Sequence, residues 1–421
     1  MYEPKLRFTA DDGSKFPDWE EKKLGEVATR VTRKNKDNIT NIPLTISSVD
    51  GLIDQRDFFN KVVASKDMSG YYLLNNGEFA YNKSYSKGYD FGSIKRLDLY
   101  DCGALSTLYI CFALDGKENS DFYQKYFDSL LWYSELQKIC AEGARNHGLL
   151  NVPTNDFFQL KLCVPSSKDE QKKIADFLSI IDAVIEKQKE TVEVWEERKK
   201  GVMQKLFSQE VRFKADDGSE FPDWEEKSFE QTFSNLNNST FSRDCLNYEN
   251  GNVKYIHYGD ILVKFGATVN VTDCIVPYVN DDLNCEKYNT LENGDVVIAD
   301  TAEDETAGKV VEISETDSQK TISGLHTIAC RPREKFASKY LGYFMNSDAY
   351  HNQLRPYMQG IKVTSISKAN IKLTSILIPC LAEQQKIADC LSALDDVIDK
   401  QKATLATWKE MKKGLLQQMF V

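Results

Sequence analysis

The sequence predicts an α+β fold in which two mixed α/β globular domains are joined by two long helices. Three observations carry this prediction: a short repeated segment, a long repeat with helical spacing, and strand-like runs between the repeats. The length of 421 residues also exceeds what one ordinary domain needs. The chain therefore has the organisation of a tandem duplication.

The two repeats delimit two similar halves. Residues 7–22 (RFTADDGSKFPDWEEK) and 212–227 (RFKADDGSEFPDWEEK) share about 14 of 16 positions and lead the halves. Residues 174–207 and 387–420 share about 19 of 34 positions and close them. The predicted segments are a first globular domain at 1–165, a first repeated helix at 166–209, a second globular domain at 210–380 and a second repeated helix at 381–421.

The globular segments alternate short apolar runs with turn signals, which is typical of strands. GEFAYNKSY and STLYICFAL are the clearest runs in the first segment, and GDVVIAD and GLHTIACRP in the second. Each segment also ends on an apolar run that closes with Pro165 or Pro379. Because the segments share this plan but little sequence, we expect two domains of one design with different surfaces.

The long repeats follow a 4-3 apolar spacing for more than four heptads, which predicts a coiled coil. The polar exceptions are Gln188 and Lys199 in the first repeat, and Gln401 and Lys412 in the second. An antiparallel pair with Gln188 facing Lys412 and Lys199 facing Gln401 would give each a polar neighbour, which a buried polar group needs. This register implies an internal pseudo-two-fold repeat. The alternative is an amphipathic helix packed on each domain core.

Charge and cysteine usage exclude some function classes. The net charge of -11 argues against a non-specific nucleic-acid binder, although it leaves room for local basic surfaces. The ten cysteines form no C-x-x-C pair and only four histidines accompany them, so we expect no metal site. No apolar run is long enough to span a membrane, and the first residues lack a signal-peptide pattern, so a cytoplasmic location is expected.

An ordered set of motifs surrounds each globular segment. An apolar-Pro pair, a Glu-Gln pair and an Ile-Ala pair precede each long helix: Val164-Pro165, Glu170-Gln171, Ile174-Ala175; and Ile378-Pro379, Glu383-Gln384, Ile387-Ala388. Together with the leading segments, this pattern resembles the specificity subunits of type I restriction–modification enzymes over essentially the whole chain.

The resemblance implies a non-catalytic scaffold. Each globular segment would be a target-recognition domain that reads one half of a split, asymmetric sequence in double-stranded DNA. The helices would set the spacing and dock two modification (methyltransferase) subunits, with restriction subunits in the full complex. S-adenosylmethionine, Mg²⁺ and ATP are then expected on those partners, and no cofactor on this chain. The alternative is a two-domain coiled-coil interaction scaffold that does not bind DNA.

The chain carries no recognisable catalytic motif of its own. All ten prolines stand alone, so the (Asn/Asp/Ser)-Pro-Pro-aromatic motif of adenine methyltransferases is absent. No glycine-rich nucleotide loop is present either. The PDWEEK stretch at 17–22 superficially resembles a nuclease signature, but its carboxylates are nearly contiguous. We interpret it as a surface segment anchored by Phe16 and Trp19.

Candidate DNA contacts are cations and amide or hydroxyl side chains in turn-rich stretches, because cations bind phosphates and polar side chains read base edges. In the first domain these are Arg30, Arg33, Lys34, Lys36, Asn82, Lys83, Ser84, Tyr85, Lys87, Lys95, Arg96, Arg145, Asn146 and His147. In the second domain the corresponding stretch, DTAEDETAGK, is acidic and would repel phosphate. The candidates there are Lys309, Arg355, Gln359, Lys362, Thr364, Ser365 and Lys368.

Overall fold

A computed structural model describes residues 3–59, 65–140, 145–146, 149–272, 276–280, 283–316, 319–360 and 363–420. The chain divides into two compact units: unit 1 is Met1–Lys189 with Ala403–Val421, and unit 2 is Glu190–Lys402. This division differs from the four segments expected from the sequence, because it cuts both long helices near their middles.

Unit 1 is a mixed α/β body around a four-stranded antiparallel sheet of order β2-β9-β6-β7. Its strands are β1 (Trp19–Lys23), β2 (Ala28–Arg30), β3 (Leu44–Ser47), β4 (Gly51–Asp54), β5 (Tyr72–Asn75), β6 (Phe79–Asn82), β7 (Ser93–Arg96), β8 (Cys102–Leu105), β9 (Ile110–Leu114), β10 (Arg145–Asn146), β11 (Leu149–Leu150) and β12 (Lys161–Pro165). Its helices are α1 (Leu24–Val27), α2 (Gln55–Phe58), α3 (Ser120–Asp128), α4 (Tyr133–Ile139), α5 (Thr154–Phe157) and the first half of α6 (Lys168–Phe207).

Unit 2 has the same kind of plan around a five-stranded sheet of order β14-β23-β19-β21-β17. Its strands are β13 (Glu225–Ser228), β14 (Phe233–Asn235), β15 (Leu246–Asn247), β16 (Lys254–Ile256), β17 (Thr268–Asn270), β18 (Tyr278–Val279), β19 (Val296–Ala299), β20 (Thr301–Ala302), β21 (Val310–Glu315), β22 (Thr321–Ser323), β23 (Thr327–Pro332), β24 (Thr364–Ser365) and β25 (Ser375–Ile378). Its helices are α7 (Phe229–Thr232), α8 (Tyr258–Val263), α9 (Tyr340–Met345), α10 (Asp348–Leu354), α11 (Lys368–Ile371) and the first half of α12 (Leu381–Met419). The second half of α6 also belongs to unit 2, and the second half of α12 belongs to unit 1.

The strands predicted from apolar runs are confirmed. Those runs contain β6 and β9 in unit 1, and β19 and β23 in unit 2, and each pair lies side by side in the central sheet of its unit. Both faces of these strands are covered, so most residues in them are buried and none is exposed. Continuous apolar runs, rather than strict alternation, are what two-sided burial requires.

The long repeats form continuous helices, as their spacing predicts. Every position of the 4-3 spacing in α6 and α12 is buried or half-buried. In unit 2, Glu196 pairs with Lys402 at 2.6 Å and Lys199 with Asp395. Residue numbers rise along one helix as they fall along the other, so the two segments are antiparallel.

The two lysines within the 4-3 spacing, Lys199 and Lys412, each pair with a carboxylate. Lys412 Nζ lies 2.6 Å from Asp182 in unit 1, and Lys199 is paired with Asp395 in unit 2. Asp182 is also bound by Lys125 at 2.6 Å. Burial on its own raises the pKa of Asp182, but the bonds from Lys125 and Lys412 hold the pKa below its ordinary value. The Gln–Lys pairing inferred from the sequence stays a prediction.

Each unit contains an Arg and a Trp from the leading segment that both bind the Glu of the Glu-Gln pair, and we call this set of residues the closing clamp. It explains why the leading segments and the Glu-Gln pairs recur together. Arg7 and Trp19 both donate to Glu170 in unit 1, at 2.7 and 3.2 Å. Arg212 and Trp224 do the same to Glu383 in unit 2, at 2.8 and 3.0 Å. Both glutamate side chains are fully buried. The clamp therefore ties the start of each globular segment to the helix that follows it.

Candidate nucleic-acid interface

In unit 1, the candidate loop after β6 is hydrogen-bonded to the residues that follow the candidate stretch at 145–147. The loop after β6 begins at Lys83, whose carbonyl accepts from the Leu150 N–H at 3.0 Å. Lys83 Nζ donates to the Val152 carbonyl at 2.9 Å. The loop is thus bonded to β11 and to the residues that lead into α5. Burial, with Arg30 nearby, lowers the pKa of Lys83.

Several candidate cations of unit 1 are held by their own domain. Arg33 binds Glu78 at 2.7 Å, and Lys95 binds Asp128 at 2.7 Å. Arg96 pairs with both Asp98 and Asp121. Lys34 donates to the Gly70 carbonyl and lies over the Tyr72 ring, and Arg30 reaches the Tyr72 hydroxyl.

Other candidates face outward or lie outside the described residues. Lys36, Tyr85 and Lys87 are exposed, while Asn82 accepts from the Ser84 N–H at 2.9 Å. Arg145 and Asn146 are in strand β10, and only their backbone is described. His147 and Lys362 lie outside the described residues.

Unit 2 has a comparable feature at the comparable place. After β19, the chain enters β20, which pairs with β24: Thr301 lies opposite Ser365. The Gln359 and Ser365 backbones exchange hydrogen bonds ahead of α11. Here again a loop that follows a central strand is bonded to a turn that precedes a short helix.

The candidate residues of unit 2 differ in their exposure and in their hydrogen-bond partners. Lys309 donates from Nζ to the carbonyls of Leu262 and Phe265 at 3.0 Å, and burial lowers its pKa, so its role is structural. Arg355, Gln359, Ser365 and Lys368 are exposed, and Thr364 is half-buried. Lys368 Nζ lies 3.4 Å from Asn238.

The acidic character of the unit 2 loop remains on its surface. Glu303, Asp304 and Glu305 are exposed. Asp295 is instead buried and bound to Arg331 at 2.8 Å, so it is not part of that surface. Sequence reasoning did not single out Arg243 and Lys264, which are far apart in the chain. The fold brings them together on the buried carboxylate of Asp260.

Metal sites and membrane-spanning helices are both absent from the part of the chain that the structure describes. The described ranges hold no group of three or more His, Cys, Asp or Glu side chains arranged to bind a metal ion. Within the same ranges, no helix combines the length and the apolar character needed to cross a membrane. The PDWEEK stretch is anchored as expected, since Phe16 and Trp19 are buried.

Comparisons with known proteins bear on these surfaces. Residues 222–407 match a family model described as type I restriction modification DNA specificity domain. The type I restriction enzyme MjaVIII specificity subunit of Methanocaldococcus jannaschii is 26% identical over 324 residues, which cover 75% of this chain and 72% of that protein. The EcoKI specificity subunit of Escherichia coli is 34% identical over 87 residues, or 21% of this chain and 19% of that one.

A solved structure shares the fold. It comes from work on complex assembly and conformational transition of the type I R-M system, and covers 95% of this chain and 97% of its own. The TM-score is 0.55 and the sequence identity is 17%.

Proposed function

We propose that this chain gives a type I restriction enzyme its DNA sequence specificity. The premise is that residues 222–407 belong to the type I restriction modification DNA specificity domain family. The resemblance inferred from the sequence is confirmed by the same match and by the curated relatives. That match carries the proposal. It runs from the second leading segment, through the surface at β20 and β24, into α12.

The target is double-stranded DNA with two separated half-sites. In support, each unit presents a loop and turn of its own, and the two surfaces differ in sequence and charge. Polar side chains on such loops read base edges, whereas cations beside them hold phosphates. Two unlike surfaces on a duplicated plan fit an asymmetric target better than a palindromic one.

The catalytic steps belong to partner subunits. Two modification subunits dock on the chain and bring S-adenosylmethionine, and restriction subunits bring ATP and Mg²⁺. The exposed faces of α6 and α12 are the docking surfaces, since they lie opposite the apolar positions and carry many charged side chains. The chain itself performs no chemistry and acts in the cytoplasm.

Methylation mapping tests this function. Cells that express the chain with its modification subunits should methylate adenine in one split sequence, and cells without the chain should lose that methylation. The purified chain alone should neither methylate nor cleave DNA when given S-adenosylmethionine, Mg²⁺ and ATP. Unchanged methylation in its absence would support the alternative, an interaction scaffold without a DNA role.

A further inference from the structure

A fully buried carboxylate in unit 2 holds two cations and a phenol in one cluster. Asp260, on α8, accepts from both terminal nitrogens of Arg243 at 2.9 Å and from Lys264 Nζ at 2.9 Å. Tyr248 Oη accepts from Arg243 at 2.9 Å and from Lys264 at 3.0 Å. We call these four residues the Asp260 cluster.

The cluster is buried at its anion and open at its cations. The Asp260 side chain is 0% exposed, whereas those of Arg243 and Lys264 are 42% and 43% exposed. One carboxylate balances one of the two positive charges, so the open side carries an excess of one. Tyr248 Oη accepts from both cations, and a phenol that accepts twice can still donate its O–H to a ligand.

The helix that carries Asp260 is fixed at both ends. His257 Nδ1 accepts from the Gly259 N–H at 3.0 Å at the start of α8, and Lys309 binds two carbonyls at its end. A Cβ on Gly259 would lie 3.8 Å from Arg243 Nη2, so the guanidinium packs close to the first turn. The positions of both cations are therefore set before any ligand binds, which reduces the entropy cost of binding.

A chain of contacts joins the cluster to the β20–β24 surface. The Tyr258 ring, on the same short helix, lies 5.4 Å from the His326 ring. His326 Nδ1 is 3.5 Å from Thr301 Oγ1, and Thr301 pairs with Ser365. Tyr258 and His326 thus connect the helix that carries Asp260 to the β20–β24 pair.

We propose that Arg243, Lys264 and Tyr248 form a phosphate-binding site for the DNA backbone, beside the surface where unit 2 reads bases. A phosphodiester offers acceptor oxygens and one negative charge, which match three outward donors and one excess positive charge. The site supplies the cations that the acidic stretch 300–306 lacks. This inference rests on the proposed function, because a duplex must lie on this face.

Salt-dependent DNA binding tests the site. The full chain, as wild type, Arg243→Gln and Lys264→Gln, is titrated with a labelled duplex that contains the split sequence found by methylation mapping, over a series of potassium chloride concentrations. Each substitution should lower the slope of log K against log salt by about one, and weaken binding to all sequences alike. Each single variant keeps one cation on Asp260, and thermal unfolding checks that it is folded.

Lys227→Gln is the matched control, because it removes the same charge from a residue that is 31% exposed and paired with Glu334. It should keep the wild-type slope. Wild-type slopes in Arg243→Gln and Lys264→Gln would overturn the phosphate site while leaving the proposed function intact. A wild-type chain that does not bind the duplex at all would overturn the proposed function itself. If one variant unfolds, the other decides.

Discussion

Glu312 on β21 is a buried carboxylate that accepts hydrogen bonds from backbone N–H groups. It accepts from the backbone N–H groups of Lys339 at 2.6 Å and Gly342 at 2.9 Å, at the start of α9. Burial raises its pKa from 4.5 to about 7, against the opposing effect of these bonds. Ionisation of Glu312 in the folded protein therefore costs stability near neutral pH.

The sign of the pH dependence follows from linkage. A carboxyl with a raised folded pKa binds a proton more tightly in the folded state, so its stabilising effect is full below pH 4.5 and is lost as pH rises through about 7. Glu312→Gln should remove this fall, measured as the change in unfolding midpoint across that window. Glu315→Gln, exposed on the same strand, should leave the fall unchanged. Equal pH slopes in wild type and Glu312→Gln would contradict the assignment.

The closing clamp predicts an unequal effect of two nearby substitutions. Arg212→Ala leaves Glu383 buried without its cation, and should lower the free energy of unfolding by about 3 kcal/mol. Lys214→Ala removes an exposed partner of Glu220, and should cost less than about 1 kcal/mol. Chemical denaturation measures both. Similar losses in the two variants would mean that Glu383 does not depend on Arg212.

The leading segments show what sequence could and could not reveal at this scale. Their repetition and the anchoring by Trp19 were predictable, since aromatic residues in a charged segment favour burial. The partner of Arg7 was not, because Glu170 lies beyond a whole domain in the chain and only the fold makes them neighbours.

At the scale of elements, the Lys199–Asp395 pair of α6 and α12 should show measurable coupling. Tyr343 also donates to Asp395 at 2.7 Å, and the side chains of Lys199 and Asp395 are only 19% and 34% exposed. A double-mutant cycle with Lys199→Met and Asp395→Asn should give a coupling energy of about 1 kcal/mol. The exposed Lys205–Glu210 pair provides the control and should give nearly none. No coupling at Lys199 would show that the bridge adds nothing to the helix pairing.

The heptad pattern predicted the two helices, their length and their antiparallel direction. In the structure, this pattern places Ile174 and Leu178 in the core of unit 1, and Ile387 and Leu391 in that of unit 2. It did not identify Asp182 and Asp395, which lie beside the apolar seam. A lysine side chain is long enough to reach several positions on a facing helix, so spacing alone does not fix its partner.

At the scale of the whole molecule, the duplicated plan predicts modular exchange. Replacing residues 23–165 with the corresponding segment of another specificity subunit keeps the clamp residues Arg7 and Glu170 and the helices. Methylation mapping should then show one new half-site, with the other half-site and the spacing unchanged. A change in both half-sites would contradict the assignment of one half-site to each unit.

The overall charge was less informative than the plan. The net charge of -11 did not indicate where cations gather on the surface. A buried carboxylate such as Asp260 lowers the net charge, yet it holds a partly exposed cation in place. The candidate stretches around Thr301 and Ser365 are likewise distant in sequence, and the pairing of β20 with β24 brings them together. Composition and periodicity predict elements, whereas sites depend on contacts between distant residues.

The make-up of unit 1 has a consequence for synthesis on the ribosome. Its core includes Leu416, Met419 and Phe420, and the Phe420 ring lies 5.6 Å from those of Phe122 and Tyr126. Those residues are translated after the whole of 190–402, a delay of roughly ten to forty seconds at typical bacterial and eukaryotic rates. Unit 2, whose chain is contiguous, is complete before unit 1. The half that is translated first is therefore the last to close its core, and until then its aromatic surface is exposed to chaperones and proteases.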